Sequence, residues 1–130
     1  MQQLHPKGWA PAQGFANGIA ASGRQVFVAG QVGWNAEQRF ESDAFVAQTE
    51  RALANILEVL AVAGARAEHI VRLTWYVTSM REYLAHRAEV GRAYRRVMGR
   101  HFPAMTLVEV TALVEERAKV EIEATAIIPA

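Results

Sequence analysis

The segment Lys119-Val120-Glu121-Ile122-Glu123-Ala124 alternates charged and apolar side chains residue by residue, and the earlier run His101 to Val110 mixes apolar residues with Glu109 in the same manner. A two-residue period puts successive side chains on opposite faces of an extended chain, so both runs read as strands, and their closeness in sequence predicts that they pair. One face of such a pair is oily and needs a covering layer. The other carries Glu109, Glu121 and Glu123, which a buried core does not accept without partners.

The covering layer is legible upstream. Phe45, Thr49, Ala52, Leu53, Ile56, Leu57 and Leu60 recur at three- and four-residue steps, the stripe of an amphipathic helix. Ser42 or Asp43 is placed to cap its start, and Gly64 to end it. A second helix is expected to open at the box Ser79-Met80-Arg81-Glu82, run through Tyr83, Leu84, Arg87, Val90, Gly91, Tyr94, Val97 and Met98, and stop at Gly99. His69 to Thr78 reads as a strand with Val71, Leu73, Trp75 and Val77 on one side and Arg72, Thr74 and Tyr76 on the other. Phe15–Ala21 and Gln25–Gln31, separated by Ser22-Gly23-Arg24, predict a hairpin. Residues 1–14, with Pro6 and Pro11, read as an extended arm. The order ββαβαββ predicts one α+β domain over residues 1–130, a mixed sheet with two helices packed on one face.

That leaves a sheet face without a cover. Val71, Leu73, Trp75, Val108, Val110, Val120, Ile122 and Ala124 are assigned to the helix side. The opposite side then carries Arg72, Thr74, Tyr76, Met105, Leu107, Glu109, Glu121 and Glu123. A face half apolar and half charged suits an interface between copies of the chain, with Arg72 a candidate to neutralise the carboxylates.

Composition narrows the function. A net charge of +1 gives no general attraction to nucleic acid or membrane, and no apolar run approaches the roughly 20 residues of a spanning helix. There are no cysteines, hence no disulfide or thiolate chemistry. The N-terminus lacks the apolar stretch of a secretory signal, and a cytoplasmic location is expected. His5, His69, His86 and His101 show no metal-ligand spacing, so no metal or cofactor is expected. Arg92, Arg95, Arg96 and Arg100 read as a solvated helix end that complements the helix dipole, with an RNA patch as the sharper but less favoured reading.

Several stretches together resemble the RidA/YjgF family of reactive-intermediate (enamine/imine) deaminases. They are Gly14-Phe15-Ala16-Asn17, Val28-Ala29-Gly30-Gln31-Val32, Ala52-Leu53-Ala54-Asn55-Ile56 with Ala63-Gly64-Ala65, His69 to Thr74, Phe102-Pro103-Ala104, Val108-Glu109-Val110 and Val120 to Ala124. The resemblance implies a chorismate-mutase-like fold, a homotrimer, and small-molecule clefts between subunits. It also implies a water-positioning glutamate at Glu121. In the family an arginine directly after Phe-Pro-Ala clamps the substrate carboxylate; here Met105 stands there, and Met105 cannot bind a carboxylate. Phe15 replaces a tyrosine, Ala29 a serine, and Gly91 an asparagine. The resemblance thus implies a catalytic Glu121 and a pocket bounded by Phe15, Ala29, Gly30, Trp34, Gly91, Met105, Thr106 and Leu107, shaped for a less charged or aromatic ligand. One type of relative acts on 2-aminomuconate, which adds ring-cleavage products as a class. Two other readings stand beside the enzyme: a trimer that binds a metabolite without chemistry, and an RNA-acting protein of the kind some relatives are described as. Glu121 as an interface ion-pair partner is the structural alternative to Glu121 as catalyst.

Overall fold

The computed structural model describes residues 1–130. In chain order the elements are β1 (Gln2–Leu4), β2 (Gly18–Ala20), β3 (Arg24–Val32), α1 (Phe45–Val62), a short 3-10 turn at Ala67–His69, β4 (Ile70–Val77), α2 (Met80–Ala85), α3 (Arg87–Met98), β5 (Ala104–Glu109) and β6 (Val120–Ile128). Four strands form one mixed sheet in the order β3-β6-β4-β5, in which only β4 and β5 run parallel. A parallel pair needs a crossover, and α2 with α3 provides it.

The helix stripe folds as its spacing dictates. Phe45, Thr49, Ala52, Leu53, Ile56 and Leu60 are buried, and they pack on Val28, Leu73, Trp75, Ile122 and Ala124 from the sheet. Gly64 adopts φ +77°, and the Ala65 and Gly64 amides close back on the carbonyls of Leu60 and Ala61. That left-handed stop favours glycine. Where β3 ends, Gly33 touches the α1 backbone so closely that a Cβ there would lie 2.5 Å from Gln48 Cα. Gln48 is itself buried, with its amide donating to the carbonyls of Ser42 and Arg117 and accepting from the Lys119 amide.

Several expectations are corrected. The hairpin does not form: β2 pairs with β1, so the expected arm is partly a small two-stranded sheet. The two C-terminal strands are not neighbours, because β4 lies between β5 and β6. Helix α1 starts without a side-chain cap from Ser42 or Asp43; Ala44 is its cap residue, Ser42 Oγ accepts from the Ala44 amide, and Asp43 pairs with Arg117 at 2.8 Å. The second helix is two helices, broken at His86, whose ring Nδ1 and backbone amide both donate to the Glu82 carbonyl. Ser79 caps α2 as expected, accepting from the Glu82 amide, whereas the Glu82 carboxylate turns to Lys119 Nζ at 3.2 Å.

The facing of β5 is inverted relative to expectation. Its parallel register sets Met105 beside Leu73 and Leu107 beside Trp75, both on the helix side, and leaves Thr106 and Val108 on the open side. Both phases of this run carry apolar residues, so alternation alone does not fix which side they take. A register irregularity between Ile70 and Arg72 puts Ile70 in the core in place of Val71. Glu109 also leaves the open face. It sits at the end of β5, where Glu109 Oε1 accepts from the Met80 amide at 2.7 Å, a carboxylate at a helix start.

Candidate functional site

The expected site residues fall into two groups. The first lines a groove of about 400 Å³ between β5, α2 and α3, closed at one side by the Gln13–Phe15 segment. Phe15, Gly91, Met105 and Leu107 all face it. Its floor is aromatic: Trp75 lies against Tyr94 (centroids 6.4 Å apart) and Tyr94 stacks on Phe102 (5.4 Å, planes 18° apart). The Trp75 indole N–H is buried with no acceptor in the chain.

Glycine at position 91 matters because it lies inside a helix, where it costs about 0.5–1 kcal/mol relative to alanine. A Cβ there would meet only Arg95 Nη1, at 3.6 Å, so the glycine leaves the groove open and the Arg95 guanidinium lies back over that opening. Arg87, Gly91 and Arg95 stand four residues apart, one above the other on the same helix face.

The second group lies on the open side of the sheet. Glu121 is half-buried and has no hydrogen-bond or ion-pair partner in the chain, while Tyr76, beside it in register, donates its hydroxyl to Glu123 Oε1 at 2.7 Å. That hydrogen bond, then desolvation and the charges of Glu123 and Glu121, raise the Tyr76 pKa. A Cβ on Gly30 would fall 2.7 Å from the Glu121 carboxyl carbon, so Gly30 leaves room for this side chain. Ala29 lies in a neighbouring depression with Phe27, Arg72 and Glu123. Thr106 is exposed in another, with Arg72 and Met105. Arg72 forms no ion pair, so the expected neutralisation of the carboxylates does not occur within one chain.

Within one chain, then, Glu121 and Gly30 do not line the groove that holds Met105 and Gly91. Trp34 belongs to neither group: it packs on Phe40 at 5.7 Å, and its carbonyl accepts from Asn55 and Arg51. The histidines make local bonds, His101 Nε2 to the Ile70 carbonyl and His69 Nδ1 from the Arg66 amide among them. Sequence reasoning missed Tyr83, Tyr94, Arg87 and Arg95 as groove residues, and took Trp75 for core alone. A glycine in mid-helix flanked by arginines one turn either side was the available signal.

Tyr94 donates its hydroxyl to the His101 carbonyl, and burial pushes its phenol well above the ordinary value. The folded state therefore holds this proton longer than the unfolded chain does. The stabilisation is complete below about pH 10 and is lost as pH rises beyond it, at up to about 1.4 kcal/mol per unit. Urea titrations between pH 8 and 11.5 should show that decline in the native protein and a shallower one in Tyr94→Phe, with Tyr76 contributing in the same direction.

No helix is long and apolar enough to cross a membrane. The family model described as Endoribonuclease L-PSP matches residues 7–128. The solved structure of YyfB from Yersinia pestis, described as a protein of unknown function of the conserved Rid family, superposes with a TM-score of 0.85 at 34% identity, covering 98% of each chain. Rv2704 from Mycobacterium tuberculosis, described as a member of the YjgF/YER057c/UK114 family, superposes at 0.67 with 35% identity, over 88% of this chain and 87% of its own. A 2-iminobutanoate/2-iminopropanoate deaminase from Capra hircus is 30% identical over 105 residues, which is 80% of this chain and 73% of that one.

Proposed function

The chain belongs to the RidA/YjgF family, the group whose model is described as Endoribonuclease L-PSP, and from that premise we propose that it is a cofactor-free hydrolytic deaminase of enamines or imines, working in the cytoplasm as a homotrimer. The observation that carries the reading is the free Glu121 carboxylate, half-buried and given room by Gly30. A carboxylate without a partner in the chain is available to take a proton from water. Water adds to the C=N carbon of the imine while Glu121 accepts its proton. The proton passes to nitrogen, and the resulting carbinolamine collapses to a carbonyl compound and ammonia. An enamine enters the same course after tautomerising to the imine.

The division of the site supports an assembly, and we read that assembly as the trimer the family resemblance implies. Glu121 and Gly30 lie on the open sheet face, and Phe15, Gly91 and Met105 lie in the groove. A ring of copies lets the open face of one approach the groove of the next, so that carboxylate and pocket meet in a cleft. The open face fits such contact, since it exposes Phe27 (71%) and Val108 (40%) beside its carboxylates. Met105, with no charge to offer, sets the substrate apart from small 2-imino acids and favours one with an apolar or aromatic body.

The same Met105 supports the second reading, a trimer that binds a metabolite and does no chemistry. An RNA-acting role ranks last, because the net charge is only +1 and Arg96 of the basic cluster is paired with Glu50 at 2.7 Å. Imines generated in situ, assayed for ammonia release with the native protein and with Glu121→Ala, decide between the first two. Loss of turnover in the variant supports the deaminase. Equal rates reject Glu121 as the catalyst.

A further inference from the structure

The groove contains aromatic and aliphatic walls, Arg87 and Arg95, and no carboxylate. Neither arginine has an acidic partner in the chain, a property shared with Arg24, Arg39, Arg72, Arg81, Arg92 and Arg100; what sets Arg87 and Arg95 apart is that they line the groove. Arg87 and Arg95 are both exposed, so they stand at the rim of an otherwise uncharged, largely apolar groove and make its mouth positive. The Arg95 guanidinium lies 3.6 Å from where a Gly91 Cβ would stand, so it reaches back along α3 over the gap the glycine leaves. A helix that accepts a glycine there keeps both the opening and the folded-back arginine.

We propose that Arg95, with Arg87 one turn beyond Gly91, is the anion-binding element of this groove, and that the ligand is an aromatic carboxylate whose ring lies on the Tyr94–Phe102 stack. The planar guanidinium offers paired N–H donors that match a carboxylate, and the stack offers a flat apolar surface of matching shape. The anion is then held from α3 rather than from β5, where Met105 stands. This moves the charged end of the ligand toward the helix rim and leaves Met105 and Leu107 against its body. The assignment rests on the groove being the ligand site. It does not require that Glu121 be catalytic.

The test is equilibrium binding by calorimetry to the native protein, using 3-phenylpropanoate, its neutral isostere 3-phenylpropanamide, and propanoate, which has the charge without the ring. The carboxylate with the ring is expected to bind about tenfold more tightly than either of the others. Arg95→Met, which keeps the stem and removes the charge, should abolish the preference for acid over amide, and Arg87→Met should reduce it. Arg96→Met, a change at an arginine that does not line the groove, should leave it intact and serves as the folding control. Equal affinity for acid and amide, no binding of either, or a preference that survives Arg95→Met would each overturn the assignment. A preserved preference in Glu121→Ala that has lost no turnover would reject the deaminase reading alone. Turnover with no preference would reject this inference alone.

Discussion

Gly33→Ala should lower the stability of the protein by about 3 kcal/mol, a drop in melting temperature of roughly 10 °C for a chain of this length. The new methyl would lie 2.5 Å from both Cα and the carbonyl oxygen of Gln48 and 2.7 Å from its Cβ. These are atoms of the α1 backbone and its root, and they cannot swing aside as a side-chain tip would. The helix must move off β3, and the movement pulls on the Gln48 amide, whose bonds to Ser42, Arg117 and Lys119 tie α1 to the chain leading into β6. Breaking a buried amide network adds to the steric cost. Gly91→Ala is the internal contrast. Its methyl meets nothing closer than 3.6 Å, and the helix gains propensity, so it should be stabilising by about 0.5–1 kcal/mol. Chemical denaturation of the two variants side by side checks both signs.

Glu121→Ala should lower kcat for imine hydrolysis by about 10²- to 10⁴-fold, with KM changed little. The carboxylate makes no hydrogen bond or ion pair within the chain, so its removal leaves no partner stranded and should shift stability by less than about 1 kcal/mol. Glu121→Gln should lose as much activity, because an amide keeps the shape but cannot take the proton. Steady-state kinetics on a reactive imine, with melting temperature measured on the same samples, separates this outcome from simple misfolding. A variant that keeps its rate, or one in which Gln restores it, contradicts the role given to Glu121.

Much of the fold was legible in the residues. The α1 stripe recurs at three- and four-residue steps, so its buried face followed from spacing even though Val59 and Val62 lie exposed outside it, and Gly64 marked its end because the left-handed stop favours that residue. β6 alternates from Val120 to Ala126 and took the facing expected of it, with Val120, Ile122 and Ala124 buried. β5 was not legible in the same way, since Met105, Leu107, Val108 and Val110 occupy both phases and only pairing with β4 decides between them. The break at His86 carries neither glycine nor proline, so nothing local announced it. The separation of β5 from β6 depends on a crossover through α2 and α3, a long-range fact that closeness in sequence hid.

The candidate site divided along the same line. Phe15, Gly91, Met105 and Leu107 were named from resemblance and do gather around one groove. Glu121 and Gly30 were named with them and stand elsewhere on the chain. Trp75 was assigned to the helix side of the sheet and Tyr94 to the stripe of the second helix; both are buried, and they are also the floor of the groove. Arg95 read as a solvated charge because its sequence neighbours are arginines, and only its position over Gly91 tells it apart.

The central claim is that the pocket and the carboxylate come from different copies of the chain. Native mass spectrometry, backed by light scattering at micromolar concentration, tests it most directly. A single species of three times the mass of the 130-residue chain is the expected result. A monodisperse monomer would leave Glu121 and the groove apart, and would contradict the account.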